Sequence, residues 1–279
     1  MRKTPKVVPQ MKVRSSGISG LEHTVNGEKL SLLAVFARPE EEAFGPSGTL
    51  AKYAGEGVRV SLITAARELA NLMTLRVSDP SLVMLNARTR ETLCSCRAAG
   101  ISRLCLDHAS AYVPTNYHLM LQERLVRLVR EVQPQVIVTY APDGMMGESE
   151  QKVLNELALY AFERAGDYAE HPEHFRDGLN PYTPSKLYYA VMPQSWVSRW
   201  GLQGLSGVPD DQVTTILDVS PYSDMKLKAV YCQRHHSQDY ARWRETNGGM
   251  QWNEEHFILA ASHLGRRMKK ERDLFAGLR

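Results

Sequence analysis

The sequence contains no run of about 18 consecutive apolar residues, the length that a membrane-spanning helix needs. Its first residues, Met-Arg-Lys-Thr-Pro-Lys, are basic, and no apolar stretch of the kind that a secretory signal requires follows them. Together these absences predict a cytoplasmic protein that does not bind a membrane.

Cysteine is scarce, and the cysteines that are present show no paired pattern. They are Cys94, Cys96, Cys105 and Cys232. Cys94 and Cys96 are too close in sequence to bridge comfortably while they lie on one helix. We therefore expect reduced thiols, as in most cytoplasmic proteins.

A basic surface is missing from the body of the chain. The formal net charge is +3, but five basic residues precede the first acid, Glu22, which leaves about −2 for the remainder. Because no basic stripe is interleaved with aromatic residues, the sequence predicts no binding of nucleic acid. Residues 1–28 mix basic residues with Ser, Gly and Pro and show no periodicity. We interpret them as a flexible basic arm that precedes one domain over residues 29–279.

From about Leu30 onward, short apolar runs alternate with helical patterns. The predicted strands are residues 31–36, 58–64, 102–106, 135–140, 186–192 and 214–219. The predicted helices are residues 49–56, 81–99, 118–132, 225–235 and 254–264. This alternation is typical of an α/β fold, here a Rossmann-like and mostly parallel sheet with helices on both faces.

Ligands of such sheets bind beyond the carboxyl ends of the strands, so we look for function in the loops after Phe36 and Tyr140. The first loop carries three adjacent carboxylates, Glu40 to Glu42, which are costly beside a buried strand unless a cation meets them. The second loop carries Glu148 and Glu150 where a helix starts. Since carboxylates also favour a helix N-terminus, an acidic functional crevice and a solvated helix start both remain open.

One family resembles this sequence in both loops. Residues 32–51, LLAVFARPEEEAFGPSGTLA, are similar to the opening of the LmbE-like, PIG-L type deacetylases, whose loop normally reads AHPDDE. Further similarity lies at Arg67, at 138–147 (VTYAPDGMMG), at 181–189 (PYTPSKLYY) and at 226–238, which ends in HHSQ. The resemblance covers about residues 30–264. It implies the fold of that family and a zinc enzyme that removes N-acyl groups from amino sugars or related conjugates.

The residues that the resemblance places at the zinc site have all changed. The metal positions fall on Arg38, Glu41 and Gln151, and the base and charge-stabilising positions fall on Glu40 and Glu148. Arginine has no lone pair and carries a permanent charge, while glutamine offers only a neutral amide oxygen. Tight zinc binding is therefore not expected, and we expect no metal and no other cofactor here. Instead, Arg38 is expected to supply positive charge among Glu40, Glu41 and Glu148.

Three functional hypotheses follow. The leading one is a catalytically silent member of the family that keeps a crevice for a sugar-like or amide ligand, or for a partner. The second is an active N-deacetylase or amidase that uses Glu40, Glu41, Glu148 and Glu150 with a harder ion such as Mg²⁺ or Mn²⁺. The third is a structural subunit of a homo-oligomer. The candidate ligand-binding residues are Arg38, Glu41, Arg67, Gln151 and His235.

Other residues fit either a site or a structural role. His171 and His174 have a spacing that a metal could use on a helix, but their distance from the second loop favours a surface loop. Cys232 and His235 share that spacing, and a core thiol with a polar histidine is the favoured interpretation.

Arg67 fits a substrate contact or an ion pair with the acidic loop. Core packing is favoured over a pocket wall for Tyr188, Tyr189, Met192, Trp196 and Trp200.

Overall fold

The structure of the chain is a computed structural model. It describes residues 24–25, 28–38, 40–65, 73–79, 87–107, 115–144, 149–201, 204–234, 253–265 and 270–279. Among these residues, no helix has the length and apolar character needed to cross a membrane.

Within the described residues the chain forms strands and helices in alternation. The strands are β1 Thr24–Val25, β2 Glu28–Lys29, β3 Ser31–Phe36, β4 Arg59–Ala65, β5 Met73–Arg76, β6 Arg103–Asp107, β7 Val136–Tyr140, β8 Lys186–Val191, β9 Thr215–Asp218 and β10 Glu254–Ser262. The helices are α1 Glu41–Phe44, α2 Ser47–Gly55, α3 Ala87–Ala98, α4 Thr115–Val132, α5 Ser149–Arg164, α6 Gln194–Trp200 and α7 Ser223–Cys232.

Eight of the strands form one sheet in the order β5-β6-β4-β3-β7-β8-β10-β9. The pairs from β6 to β8 are parallel, while β5, β10 and β9 run antiparallel to their neighbours. Helices cover both faces, because alternate residues of β3 enter two separate cores. Leu32 packs in a core with residues of α2 and α3, and Leu33 packs in a core with residues of α4 and α5. The predicted α/β architecture is confirmed.

The predicted strands agree with the structure to within about two residues at each end, and the predicted helix over residues 254–264 is wrong. That segment is β10, which pairs with β8 on one side and β9 on the other. Glu, Ala and Leu favour a helix locally, but a place between two strands, with Phe257 fully buried, outweighs that preference. Strand β5 was not predicted. Residues 81–86, the start of one predicted helix, lie outside the described residues.

The start of the chain is described only in part. Strands β1 and β2 form a short antiparallel pair within and just after the segment that we interpreted as an arm. Residues 1–23 lie outside the described residues, and the division at residue 28 stays a prediction.

The expectation of reduced thiols is wrong for two of the cysteines. Cys94 of α3 and Cys232 of α7 form a disulfide, with their Cα atoms 5.6 Å apart and 138 positions of sequence between them. Cys96 is a free and fully buried thiol. The local argument concerned Cys94 and Cys96, and it could not reveal a partner that only the packing of α3 against α7 supplies.

Candidate active site

The candidate site lies where the strand order changes direction. From the central strand β3 the chain moves to β4 on one side and later to β7 on the other. The loops that follow β3 and β7 therefore diverge and leave a crevice beyond the carboxyl ends of these strands, where open α/β sheets bind ligands. We call the space between these two loops the crevice.

The carboxylate of Glu41 is held at the crevice by three hydrogen bonds. The backbone N–H groups of Ala37 and Arg38 donate to Glu41 Oε2 at 2.8 and 3.2 Å. The side-chain amide of Gln151 donates from Nε2 to Glu41 Oε1 at 2.7 Å. The structure therefore brings together residues of the two loops that the sequence placed at one site.

Burial changes the acidity of Glu41. Its side chain is almost fully removed from solvent, and this burial raises the pKa of Glu41 to about 7, with a smaller contribution from the neighbouring charge of Glu40. The hydrogen bonds from Gln151, Arg38 and Ala37 favour the ionised form and act in the opposite direction. A carboxyl group with a pKa near neutrality can accept and release protons at physiological pH.

Arg38 extends across the crevice towards the second loop. Its guanidinium Nε lies 3.5 Å from Glu150 Oε2, at the start of α5, and about a third of the side chain is exposed. The sequence predicted a guanidinium among Glu40, Glu41 and Glu148. The structure describes an ion pair with Glu150. Glu148 lies outside the described residues, so the expected set of partners stays a prediction.

Gln151 is placed by close packing against the second loop. Gly144 has a φ of +67°, and a Cβ atom at this position would lie 2.4 Å from Gln151 Oε1. Nearby, Asn155 donates from Nδ2 to the carbonyl oxygen of Tyr140 at 2.5 Å. The last carbonyl group of β7 therefore has a hydrogen-bond partner. With Glu41 as a carboxylate, the amide nitrogen of Gln151 faces Glu41.

These side chains do not fit a zinc ion. The three positions that the resemblance assigns to zinc carry a guanidinium, a carboxylate and an amide, without an imidazole or thiolate. The amide nitrogen of Gln151 also points at the Glu41 carboxylate. Within the described residues, the group of His, Cys, Asp or Glu side chains close enough to hold an ion lies elsewhere, at residues 171–174.

Glu42 is a second buried carboxyl group. Gln233 donates to its Oε1 at 3.3 Å, while its Oε2 has no hydrogen-bond partner among the described residues. Burial raises the pKa of Glu42 to about 8. At neutral pH this side chain is therefore mostly protonated.

The raised pKa of Glu42 predicts a protein that loses stability as the pH rises. The folded state holds a proton that the unfolded state releases above about pH 4.5, so the free energy of unfolding falls between about pH 4.5 and 8. Glu41, whose pKa is also raised, contributes to the same fall. Replacing Glu42→Gln should therefore remove only the share of Glu42, a few kcal/mol, and leave the share of Glu41. Thermal unfolding at pH 5.5 and 8.5 measures it. Glu156→Gln, at an exposed position of α5, should keep the full pH dependence, and an unchanged pH dependence in Glu42→Gln would refute the assignment.

The structure describes Glu40 but not the other remaining predicted site residues. Glu40 is half-buried and directly precedes α1. Glu148, Arg67 and His235 lie outside the described residues, so their roles stay predictions.

Of the aromatic and methionine positions, Tyr188 belongs to the core and two others line a cleft. The hydroxyl of Tyr188 is buried beside Lys186 and Glu271. Met192 and Trp196 form part of the wall of an open cleft next to the crevice. Met192 is also buried, as the preference for core packing expects, whereas Trp196 is only partly buried. Tyr189 packs partly buried against a core, and the side chain of Trp200 lies outside the described residues.

A buried ion pair beside this cleft was missed by the sequence. Glu255 accepts hydrogen bonds from the backbone N–H groups of Gly48 and Thr49, at the start of α2, at 3.0 and 2.8 Å. Lys226 of α7 donates to Glu255 at 2.5 Å and to the carbonyl oxygen of Gly45 at 2.6 Å. Local pattern could not find Glu255, because its partners Gly48, Thr49 and Lys226 come from other elements.

The pair His171 and His174 is not a simple surface loop. His174 is fully buried in the 3-10 turn Pro172–Phe175. Arg130 donates to its Nδ1 at 2.9 Å, so its Nε2 must carry the proton that is shared with Glu123 at 2.7 Å. Since both ring nitrogens are used, His174 has a structural role. Cys232, the partner of His235 in the other pair, is in the disulfide and has no thiolate to offer a metal.

Comparison with known proteins gives a family match and named relatives. The family model PIG-L, described as GlcNAc-PI de-N-acetylase, matches residues 33–174. The 1D-myo-inositol 2-acetamido-2-deoxy-alpha-D-glucopyranoside deacetylase of Rhodococcus jostii (strain RHA1) is 30% identical over 88% of this chain and 98% of its own length. A protein with the same name and the suffix 1, from Catenulispora acidiphila, is 29% identical over 88% and 89%.

Solved structures share the fold. The N,N'-diacetylchitobiose deacetylase of Pyrococcus horikoshii has a TM-score of 0.59 at 18% identity and covers 82% of this chain and 83% of its own. The 4-carboxy-2-hydroxymuconate hydratase of Pseudomonas putida KT2440 has a TM-score of 0.57 at 16% identity and covers 85% and 99%. At these identities the likeness shows the fold alone, and the second protein is named for a different reaction.

The relatives correct the leading hypothesis. We predicted a catalytically silent protein, and that prediction is contradicted by relatives that align with 88% of the chain and are named as deacetylases. The change of residues at the zinc positions was an argument about one metal. The alternative hypothesis of an active N-deacetylase or amidase agrees better with these relatives.

Proposed function

The chain belongs to the PIG-L family of GlcNAc-PI de-N-acetylases, and on that basis we propose that it hydrolyses the amide bond between an acyl group and the nitrogen of a sugar-like compound. The single observation that carries this proposal is the Glu41 carboxylate. It is buried and fixed beyond the carboxyl end of the central strand, and its pKa is about 7. The names of the relatives support an acetyl group as the acyl group.

Glu41 acts as the general base in this proposal. Its Oε1 accepts one hydrogen bond, from Gln151, and has a second acceptor position that a water molecule can use. As the water oxygen attacks the acyl carbon, Glu41 takes a proton from the water. When the C–N bond breaks, that proton passes to the leaving nitrogen, so the products are a carboxylic acid and an amine. The hydrogen bonds from Ala37 and Arg38 keep the carboxylate in place during both transfers.

Arg38 stabilises negative charge in this scheme. Its guanidinium is partly exposed at the crevice and paired with Glu150. A positive charge at the crevice can meet the oxygen of the acyl group as it becomes negative during attack. Glu40 and Glu148 remain proposed catalytic residues by family position, and Arg67, Gln151 and His235 remain proposed ligand contacts.

Release of acetate tests the proposed function. The full-length protein, dialysed against EDTA, is incubated with N-acetylglucosamine and with the inositol glycoside named in the relatives, alone and with Mg²⁺, Mn²⁺ or Zn²⁺. We expect acetate and primary amine in equal amounts, without a requirement for zinc. A folded protein that releases no acetate under any of these conditions overturns the proposal. Activity that depends strictly on zinc overturns the roles given to Glu41 and Arg38.

A further inference from the structure

Helix α1, which carries the candidate base Glu41, is too short to hold its own geometry. It spans Glu41–Phe44, and isolated helices shorter than about 12 residues are marginal in water. The backbone N–H of Gly45 donates to the carbonyl oxygen of Glu41 at 2.8 Å, and the hydroxyl of Tyr140 donates to the same oxygen at 3.0 Å. The position of Glu41 therefore depends on the contacts that hold Gly45 and the rest of α1.

Helix α7 supplies contacts of both kinds, apolar and polar. Ala229 and Val230 of α7 pack with Ala43 of α1 in a small apolar core. Lys226, one turn earlier on α7, donates from Nζ to the carbonyl oxygen of Gly45 at 2.6 Å. The disulfide ties α7 in turn to α3. The short helix of the candidate base therefore rests on a longer helix that is itself anchored.

The ammonium group of Lys226 is held by Glu255 of β10. Both residues are more than nine-tenths buried, and Lys226 Nζ lies 2.5 Å from Glu255 Oε1. The carboxylate also accepts hydrogen bonds from the N–H groups of Gly48 and Thr49. Burying two charges is costly, and apolar residues of similar volume often stabilise a fold equally well. Stability alone is therefore a weak reason for an ion pair at this place.

A second buried pair of the same kind lies at the other end of the sheet. Lys186, the first residue of β8, donates from Nζ to Glu271 Oε1 at 2.8 Å, and both residues are buried. Lys186 is paired with Val136, the first residue of β7, so it lies at the amino ends of the parallel strands. The crevice lies beyond their carboxyl ends. The two ion pairs are thus alike in charge and burial, and the pair of Lys226 with Glu255 is the one that contacts the end of α1.

We propose that Lys226 and Glu255 are positioning residues for the hydrolysis: they hold the carbonyl group of Gly45, and through it the single turn of α1, so that the Glu41 carboxylate stays in place. Both act through Gly45 and not on the substrate. The role of Glu41 as the base rests on the proposed function, whereas the support of α1 rests on the contacts of the two side chains.

Neutralising each ion pair separates positioning from stability. The double variant Lys226→Met, Glu255→Gln removes one charge of each sign, so the net charge near Glu41 does not change. We expect kcat for acetate release, per folded protein, to fall by about ten- to a hundredfold and KM to stay within about twofold, because Glu41 acts in the chemical step and not in binding.

The matched control is the double variant Lys186→Met, Glu271→Gln. It removes the second ion pair and should lower the unfolding temperature, as loss of the first pair does. Because this pair is remote from the crevice and shares no partner with α1, kcat should stay within about twofold of the unmodified protein. Thermal unfolding and steady-state kinetics on both double variants measure the contrast.

Amide exchange reports the position of Glu41 without any turnover. The N–H groups of Ala37 and Arg38 donate to Glu41 Oε2 and are protected as long as that carboxylate stays in place. They should exchange at least about tenfold faster in the double variant of Lys226 and Glu255, and within about twofold of the unmodified rate in the control. Deuterium exchange followed by mass spectrometry of peptides that span residues 36–46 measures these rates.

A milder variant serves if the first double variant does not fold. Glu255→Asp keeps both charges and shortens the carboxylate side chain by one methylene group, so it cannot hold Lys226 and the start of α2 at once. Glu271→Asp is then the control. We expect the same contrast in kcat and in amide exchange, at about threefold or more.

Unchanged exchange at Ala37 and Arg38 in the variants of Lys226 and Glu255, or a loss of kcat that is equal in the control, would overturn the positioning role. Failure of the proposed function is a different result. A protein that releases no acetate, yet shows faster exchange in these variants and not in the control, keeps the support of α1 and loses the hydrolysis. A protein that releases acetate with the same kcat in all variants keeps the hydrolysis and loses the positioning role.

Discussion

Replacing Glu41→Gln should lower kcat for amide hydrolysis by about a hundred- to ten-thousandfold, because the variant removes the group that takes the proton from water. Glutamine has nearly the same size and can still accept hydrogen bonds from the backbone of Ala37 and Arg38 at its amide oxygen. The fold should therefore survive, and thermal unfolding checks it. Steady-state release of acetate measures the loss.

A control variant separates the loss of a base from a general loss of charge. Glu156→Gln removes a carboxylate from an exposed position of α5 and should leave kcat unchanged. An activity of Glu41→Gln within about fivefold of the unmodified protein would show that another group is the base. By family position, Glu40 would then be the first residue to test.

Removing the disulfide should destabilise the folded protein by about 2–5 kcal/mol. The bond joins α3 to α7 across 138 positions of sequence, so its loss gives the unfolded chain much greater conformational freedom. We expect the double variant Cys94→Ser, Cys232→Ser to unfold about 5–15 °C below the oxidised protein. Calorimetry with and without dithiothreitol measures the difference.

Reductant should have no further effect on the double variant, which serves as its own control. In the oxidised protein, alkylation after unfolding should label Cys96 and leave Cys94 and Cys232 unlabelled. Identical unfolding temperatures in the presence and absence of dithiothreitol would show that the bond does not contribute.

The central part of the sheet was predictable from local pattern. Strand β3 is buried at every position and apolar from Leu32 to Phe36, and its predicted bounds agree with the structure. A strand buried on both faces leaves a short apolar run that few other structures produce. Strand β10 lacks this signal, because only part of it is buried and its residues also favour a helix. Its assignment requires the neighbours β8 and β9, which the local sequence does not contain.

In the candidate site, too, the local features were predictable and the contacts between distant segments were not. The acidic loop after β3 and the polar residues after β7 were recognisable, since their place in an open sheet follows from topology. The pairing of Gln151 with Glu41 and the pairing of Arg38 with Glu150 depend on distances between loops 110 and 112 positions apart in sequence. The disulfide and the ion pair of Lys226 with Glu255 are also long-range contacts. Pattern within a short window could not reveal them.

The pH dependence of kcat/KM for acetate release tests the central claim most directly. If the Glu41 carboxylate is the base, kcat/KM should rise about tenfold per pH unit on the acidic side and level off above about pH 7, where the group is ionised. Glu41→Gln should lack this inflection in its residual activity. A profile that is flat through pH 7, or an inflection that persists in Glu41→Gln, would contradict the account.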